Sequence, residues 1–191
     1  MLALLLAACT AAPKRVPLSP QLERSWQQHQ QQVQSYSQWS IVGRAALHSE
    51  GEAWTASLRW SQDRDAYSIQ LSGPFGRGAV AIDGSDDGVT VHIAGQSPLT
   101  SDDAESLLYD NLGWSVPVAS LRYWLRGLPA PGAVDQIELN EQGLLAHLQQ
   151  QGWRLDYTRY SEDTATPLPR KLSLESPRMR LKLVLDRWQL G

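Results

Sequence analysis

Side chains that could act as nucleophiles, general bases or metal ligands are scattered along this chain. The four histidines stand at positions 29, 48, 92 and 147, and no two share the three- or four-residue spacing that places metal ligands on one helix face. No Gly-x-Ser-x-Gly motif marks a serine nucleophile, and Cys9 is the only cysteine. This distribution does not support hydrolytic or metal chemistry.

Two other features that often carry chemistry have simpler explanations. The adjacent carboxylates Asp102 and Asp103 precede a helical pattern, and negative charge suits the positive end of a helix. Gly73, Gly76 and Gly78 belong to a turn between strands and do not precede a helix, so they do not form a dinucleotide site. The sequence therefore predicts that the protein is not an enzyme and binds no metal or cofactor.

Cys9 lies in a pattern with its own chemistry. It ends an apolar run, and the preceding Leu6-Ala7-Ala8 resembles the lipobox of bacterial lipoproteins. In that motif the cysteine thiol is diacylated, the preceding peptide is removed and the new amino group is acylated. By this interpretation Cys9 is the lipidation site. The alternative is a short core segment in which Cys9 is a small buried hydrophobe.

The residues around Cys9 predict how the chain is divided. Residues 1–8 lack the basic region and longer apolar stretch of a complete signal peptide, so we expect the end of a lipoprotein signal peptide whose translation starts upstream. Residues 9–18 predict a lipidated flexible tether, and residues 19–191 a single domain. Thr10 replaces the aspartate that retains enterobacterial lipoproteins in the inner membrane, so this resemblance implies the outer membrane.

Composition narrows the choice of partners. The 191 residues carry a net charge of -3, so we expect no electrostatic attraction to nucleic acid or to an anionic membrane surface. No apolar stretch approaches the roughly 18 residues needed to span a bilayer. Eight tryptophans and six tyrosines supply rigid rings of the kind that line sheets, interfaces and ligand cavities.

Alternation of apolar and polar residues predicts about ten short strands joined by tight turns, as in an antiparallel meander. In the clearest strand, Trp54, Ala56, Leu58 and Trp60 alternate with polar or charged residues. Each strand has one strongly apolar face. A sheet of this width curls rather than staying flat.

Three helices accompany the strands. Ser19 and Pro20 predict the N-cap and first position of one helix, and residues 100–103 resemble a capping box before a second. Pro117 begins the third, and Gly127 suits its end. The predicted fold is mainly β (α+β). A highly curved antiparallel sheet forms an open, incomplete β-barrel, and about three helices cover an apolar cavity.

Strand and helix parity predicts which side chains face that cavity. Each also fits ordinary core packing, and we expect some of them to be core. The predicted lining consists of Trp54, Leu58, Trp60, Ile69, Leu71, Val91, Leu108, Leu121, Trp124, Leu155, Leu181 and Leu183.

One loop places a large apolar side chain at its tip. Gly73-Pro74-Phe75-Gly76 joins two predicted strands with residues typical of a turn, and Phe75 is the only phenylalanine. Either the loop folds back into the core or it points toward an apolar surface outside the molecule.

Several segments, taken in order, resemble the LolB family of outer-membrane lipoprotein receptors. They are the lipobox at Cys9, Gly73-Pro74-Phe75-Gly76, Leu112-Gly-Trp-Ser-Val-Pro117, Leu121-Arg-Tyr-Trp-Leu-Arg-Gly-Leu-Pro129, Gln151-Gly-Trp153 followed by Tyr157, and Leu181-Lys-Leu-Val-Leu-Asp-Arg-Trp188. The resemblance extends from the first helix to the C-terminus, with Trp-Leu-Arg-Gly-Leu-Pro at its centre.

The resemblance implies a function. A LolB-like protein accepts acylated lipoproteins from the periplasmic carrier LolA in an apolar cavity and inserts them into the inner leaflet of the outer membrane, without ATP. The implied partners are LolA, the acyl chains of client lipoproteins and the outer membrane. The protein would be a lipid-anchored monomer that faces the periplasm. The family's protruding loop residue matches Phe75, so Gly73, Pro74, Phe75 and Gly76 would form a membrane-insertion loop.

Two other functions stay open at this point. The chain could be a structural or interaction lipoprotein with a filled core, or an envelope enzyme that acts on lipid or glycan with scattered carboxylates. Arg178, Arg180 and Lys182 alternate with apolar residues. They could meet an acidic rim on the carrier, or simply form a solvated strand face.

Overall fold

The computed structural model describes residues 19–49, 51–74, 78–162 and 165–191. These residues form three helices and eleven strands. The helices are α1 (Pro20–Ser35), α2 (Ala104–Leu112) and α3 (Val118–Trp124). The strands are β1 (Gln38–Ser49), β2 (Glu52–Asp63), β3 (Ala66–Ser72), β4 (Val80–Ser85), β5 (Gly88–Ile93), β6 (Leu99–Ser101), β7 (Gln136–Leu139), β8 (Leu145–Gln150), β9 (Trp153–Tyr160), β10 (Pro169–Glu175) and β11 (Met179–Leu190).

All eleven strands belong to one antiparallel sheet. Their order is β6-β5-β4-β3-β2-β1-β11-β10-β9-β8-β7, so two meanders meet where the first strand pairs with the last. Strands β6 and β7 lie at the two ends of this order and do not pair with each other. The sheet is therefore curved but open, which confirms the predicted fold class.

The junction between β1 and β11 contains an irregularity that favours curvature. The register shifts between Val42 and Gly43, and such bulges increase the local twist of a strand. A methyl group at Gly43 would lie 2.3 Å from the carbonyl oxygen of Val184. Only glycine therefore allows the two backbones to approach so closely at this point.

The helix ends follow the predicted capping chemistry with two corrections, of which one is that α3 ends at Trp124 with Leu125 as its C-cap, two residues before the predicted Gly127. Ser19 caps α1 by accepting a hydrogen bond from the amide of Leu22 at 3.3 Å, as predicted. At α2 the predicted capping box is wrong, because Thr100 lies in strand β6 and Asp103 is the N-cap. The Ser106 hydroxyl and two backbone amides donate to the Asp103 carboxylate and lower its pKa.

The strand count also differs slightly from the prediction. Strand β6 has only three residues, too few to show an alternating pattern. The segments predicted separately near residues 179–185 and 188–190 form one continuous strand, β11. Both differences concern short or interrupted patterns, whereas the strands with long alternation were predicted with the correct inner face.

The core lies between the inner face of the sheet and the helices. Trp39 packs against Trp60 and Trp188, with ring centroids 5.7 and 5.6 Å apart. Helix α1 contributes the buried residues Trp26, His29 and Val33. Its apolar stripe covers part of the open side of the sheet, as the sequence predicts.

His29 is an ionisable group within this packing. Its ring stacks on Trp26 at 6.1 Å, and its Nε2 atom is buried without a hydrogen-bond partner among the described residues. Burial lowers the pKa of His29 from 6.5 to about 4. In the folded protein the His29 side chain is therefore neutral near pH 7.

We predict that His29 makes the fold sensitive to acid. In the unfolded chain the imidazole takes up a proton below its ordinary pKa of 6.5, whereas in the folded chain it does so only near pH 4. The free energy of unfolding should therefore have its full value above pH 6.5. It should decrease by about 2–3 kcal/mol as the pH falls from 6.5 to about 4. Urea unfolding at several pH values measures the decrease.

The substitution His29→Phe should remove most of this pH dependence while preserving the contact with Trp26. His48 is exposed on β1, so His48→Phe is the matched control and should leave the pH profile unchanged. An unaltered profile in His29→Phe would contradict the prediction.

Candidate functional site

An apolar cavity lies between the inner face of the sheet and the helical segment that contains α2 and α3. Its volume is about 60 Å³, and it exposes no polar surface. Its lining consists of Ala45, Leu47, Trp54, Leu58, Trp60, Ile69, Leu71, Ile82, Leu108, Trp114, Val116, Val118, Leu121, Leu125, Leu181 and Leu183. Because no ionisable side chain faces it, the cavity offers a place to bind an apolar group and no means of acid–base chemistry.

The structure brings together most of the residues predicted to line a cavity. The nine that do so are Trp54, Leu58, Trp60, Ile69, Leu71, Leu108, Leu121, Leu181 and Leu183. Val91, Trp124 and Leu155 are fully buried and are not among the residues that line this cavity. The alternation of residues along a strand identifies which side chains face the interior of the sheet. Whether such a side chain reaches the cavity depends on where the helices cross the sheet.

Several lining residues were not predicted from the sequence. Trp114 and Val116 come from the connection between α2 and α3, and Val118 is the first residue of α3. These three side chains alternate with Ser115 and Pro117, and that two-residue period is the signal of an extended chain that could have revealed them. The other missed residues, Ala45, Leu47, Ile82 and Leu125, share the buried faces of elements that were predicted.

An aromatic contact joins the helical cover to the sheet at the edge of the cavity. The rings of Trp54 on β2 and Trp114 lie 4.9 Å apart and tilted by 42°. The connection between β3 and β4 reaches the same place, since a methyl group at Gly78 would lie 3.6 Å from Nε1 of Trp54. The cavity and the described end of this connection are therefore adjacent.

Buried polar bonds anchor α3 to the second meander. Oε1 of Gln150 accepts hydrogen bonds from Nε1 of Trp124 and the amide of Ala130, both at 2.9 Å, and its Nε2 donates to the Ala130 carbonyl at 2.7 Å. The Tyr157 hydroxyl donates to the Trp124 carbonyl at 2.8 Å. Desolvation raises the pKa of Tyr157, so this hydroxyl stays a donor.

Arginines add further connections on the other side of α3. The Arg126 guanidinium donates to the carbonyls of Val33 and Tyr36 at the end of α1, each at 3.4 Å, and lies 5.7 Å from the ring of Trp39. Arg122 forms an ion pair with Asp65 in the turn between β2 and β3 at 3.0 Å. In contrast to α3, helix α2 meets the cavity through the apolar side chain of Leu108.

The other histidines of the described residues lie apart from the cavity. Residues His48, His92 and His147 are exposed on the sheet, and His147 contacts Asp156 at the surface. Within the described ranges, no group of three or more His, Cys, Asp or Glu side chains could hold a metal ion. In the same part of the chain, no helix is both long and apolar enough to cross a membrane.

Comparison with known proteins identifies the family. A family model described as "Outer membrane lipoprotein LolB" matches residues 37–188. The chain belongs to the LolB family. This confirms the family resemblance and, with it, the prediction that the protein is not an enzyme.

Individual relatives support this membership over almost the whole chain. The outer-membrane lipoprotein LolB of Nitrosococcus oceani is 42% identical, and the match covers 98% of this chain and 94% of that protein. The LolB of Stutzerimonas stutzeri is 35% identical over 98% of this chain and 92% of its own length.

Solved structures agree on the fold alone. A LolA superfamily protein from Nitrosomonas europaea aligns with a TM-score of 0.57 and 8% identity, covering 89% of this chain and 93% of that one. A DUF1329 family protein from Desulfovibrio piger aligns with a TM-score of 0.54 over the same shares, also at 8% identity.

The predicted lipidation and loop residues are only partly described. Cys9 lies outside the described residues, as do Phe75 and Gly76. Gly73 is buried and Pro74 is exposed directly after β3. The proposed roles of these positions therefore rest on the sequence.

We predict that Gln150 is essential for holding α3 in place. The substitution Gln150→Leu would leave the Trp124 indole N–H and both backbone groups of Ala130 buried without partners. At about 1–3 kcal/mol for each unsatisfied group, the free energy of unfolding should decrease by at least about 3 kcal/mol. Urea unfolding measures this loss.

The neighbouring residue provides a control of identical chemistry. Gln149 is exposed on the same strand, and Gln149→Leu should change the free energy of unfolding by no more than about 0.5 kcal/mol. Equal losses in the two variants would show that the hydrogen bonds of Gln150 are not the reason for its effect.

Proposed function

We propose that this protein is an outer-membrane lipoprotein receptor. It accepts acylated lipoproteins from the periplasmic carrier LolA and inserts them into the inner leaflet of the outer membrane without ATP. The observation that carries this proposal is the wholly apolar cavity inside the curved sheet of a LolB family member. The proposed partners are LolA, the acyl chains of clients and the membrane, and the proposed receptor acts as a monomer.

The free energy of burying acyl chains is sufficient for such a transfer. Each methylene removed from water contributes about 0.8 kcal/mol, so a lipid anchor with several chains does not cross water unprotected. Transfer between two proteins requires only that the receptor hold the chains more favourably than the carrier. No covalent bond needs to form or break.

The cavity must enlarge before it can hold an acyl chain. Its volume of about 60 Å³ equals the share of about two water molecules in the liquid. Since α3 is anchored through Gln150 and Arg126, we infer that the movable cover is α2 with residues 113–117. Opening there would separate Trp54 from Trp114 and expose the lining.

We predict that the cavity binds apolar probes and that a bulkier wall prevents this. Ala45 lines the cavity, and Ala45→Phe should place a ring in the space that a fluorescent hydrophobic probe would occupy. Probe affinity should fall at least tenfold. In the unsubstituted protein the acylated form of a lipoprotein should displace the probe, whereas its deacylated form should not.

Ala46→Phe is the matched control, because the next side chain of the same strand points to the opposite face of the sheet. It should leave probe affinity unchanged. If the unsubstituted protein binds no probe at all, the second candidate is favoured. That candidate is a structural lipoprotein with a filled sheet, and the small volume of the cavity is the observation that supports it.

The membrane-facing part of the proposal concerns the N-terminal segment and the loop that follows β3. Residues 1–8 would be signal peptide, Cys9 the lipidated residue, 9–18 the tether and 19–191 the receptor domain, facing the periplasm. The loop Gly73-Pro74-Phe75-Gly76 would touch the bilayer where the client leaves. Burying one such side chain in lipid contributes about 1.5–3 kcal/mol, which suits a transient contact rather than an anchor.

We predict that Phe75→Glu separates the two steps of delivery. When the protein is mixed with a LolA–lipoprotein complex, the variant should receive the client as well as the unsubstituted protein does. Subsequent appearance of the client in liposomes should be at least several-fold slower, because a carboxylate is unfavourable in the hydrocarbon region. Phe75→Leu is the control and should retain both steps.

Two results would contradict parts of the proposal separately. Delivery by Phe75→Glu at the unsubstituted rate would exclude the role of the loop. Failure of the unsubstituted protein to take the client from LolA would exclude the receptor function itself.

A further inference from the structure

A second recess lies on the outer face of the sheet, opposite the apolar cavity. It crosses β2, β1, β11 and β10 and has a volume of about 860 Å³. Its outward-facing lining includes small residues, Ala46, Thr55, Ser57 and Ser173. One end is formed by Ser72, Gly73 and Pro74, where the chain leaves β3. We call this recess the outer groove.

Lysine is concentrated in the outer groove. The chain has only three lysines, Lys14, Lys171 and Lys182, and the latter two line this groove. Lys171 pairs with Val184 and Lys182 with Ser173 across β10 and β11. The two lysines are thus diagonal neighbours on one face, with backbones about 7–8 Å apart.

Neither lysine is neutralised by a carboxylate of the described residues. The third cation of the groove, Arg44, forms an ion pair with Asp186 at 3.1 Å. The acids on strands β9 and β10 already have partners. Asp156 contacts His147, and Glu175 pairs with Arg154 and Arg180. Lys182 lies on the same outward face of β11 as Arg180, as predicted, but Arg180 is paired with Glu175, whereas Lys182 and Lys171 have no such partner among the described residues.

Several acidic groups of the first meander lie in turns at the far end of its strands, whereas Glu52 lies at the start of β2, at the same end as Gly73 and Pro74. Asp65 and the pair Asp86–Asp87 occupy the β2–β3 and β4–β5 turns, opposite the end where Gly73 and Pro74 leave β3. A protein with a net charge of -3 thus presents a local cationic surface beside this loop. Such separation of charge orients a molecule in an electric field.

We propose that the outer groove binds the phosphate-bearing headgroups of anionic phospholipids. Two unpaired ammonium groups and the hydroxyls of Ser57, Thr55 and Ser173 match a phosphate that has several acceptor oxygens. A membrane is favoured over an acidic protein because the groove ends at Gly73 and Pro74, which begin the loop proposed to touch the bilayer. In this respect alone the inference rests on the proposed function.

Equilibrium binding to vesicles tests the inference without any client or carrier. The full chain with Cys9→Ala, which cannot carry the lipid anchor, is mixed with phosphatidylcholine vesicles that contain or lack phosphatidylglycerol. The protein should bind the anionic vesicles and release them as salt is raised. Lys171→Gln/Lys182→Gln should weaken this binding roughly 30-fold, since each basic residue near an anionic surface contributes about fivefold.

Two further variants isolate the groove from net charge and from folding. Arg24→Gln/Arg64→Gln removes the same charge at exposed positions on α1 and in the β2–β3 turn, and should bind almost as the parent does. Lys171→Arg/Lys182→Arg keeps the charge and should retain binding. Excess inorganic phosphate should compete only weakly, because a vesicle presents many headgroups at once.

Several outcomes would overturn the inference. One is equal binding by the parent and the Lys171→Gln/Lys182→Gln variant, and another is an equal loss in the arginine control. A variant that binds vesicles normally but no longer takes clients from LolA would assign the groove to a protein partner instead. Because vesicle binding is measured without a client, its failure does not depend on whether the protein is a lipoprotein receptor.

Discussion

The pairing of β1 with β11 is the contact on which the shape of the molecule depends. It joins a six-stranded meander formed by the first part of the chain to a five-stranded meander formed by the last part. Twelve-residue strands on both sides make it a long junction, and the register shift beside Gly43 increases its twist. Without this junction neither meander could enclose an interior, because each would remain an open sheet with an exposed apolar face.

The two faces of this junction carry side chains of different character. On the inner face Ala45, Leu181 and Leu183 line an apolar cavity. On the outer face, Arg44 and Lys182 line the outer groove. Each is next in sequence to one of the cavity residues. The two-residue period of the strand therefore sets an apolar site and a charged site back to back. A lipid with a polar head and apolar chains offers chemistry for both, although no single molecule reaches both faces through the sheet.

The fold could be predicted from the sequence where a pattern was long and local. Alternation in Trp54 to Trp60 predicted both the strand and its buried face, and Ser19-Pro20 predicted the start of α1. Strand β6 could not be predicted because three residues show no period. The order of the sheet also required tertiary information, since nothing local indicates that residues 38–49 pair with residues 179–190.

The lining of the candidate site also depends on tertiary contacts that local sequence patterns do not indicate. Parity selected Leu58 and Leu183, which line the cavity in the structure, and also Leu155, which is fully buried and does not line it. The difference depends on where α2 and α3 cross the sheet. That path is determined by bonds such as those of Gln150 to Trp124 and Ala130, which join residues 20 or more positions apart. The outer groove required the register of β10 and β11 for the same reason, because its two lysines are eleven positions apart.

The nearly filled state of the cavity follows from the energetics of empty apolar space. Ten acyl methylenes need about 300 Å³ if each occupies the share of one water molecule. Keeping that volume empty would cost about 7 kcal/mol at about 24 cal/mol per Å³. A cost of this size would consume much of the stability of an ordinary domain, about 5–15 kcal/mol. A receptor without a client would therefore keep its cavity small, and the volume of about 60 Å³ agrees with this expectation.

The same costs explain how a bound client could be released. Burying ten methylenes contributes about 8 kcal/mol, but opening the collapsed space also breaks packing contacts within the protein, which the bound chains only replace. The receptor would thus hold the chains with a smaller net free energy than the gross burial. A bilayer accepts the same methylenes without having to hold a cavity open in a packed protein. In the proposed function, transfer from the receptor to the membrane would therefore be favourable without ATP, and the open sheet would need only a cover that is easily displaced.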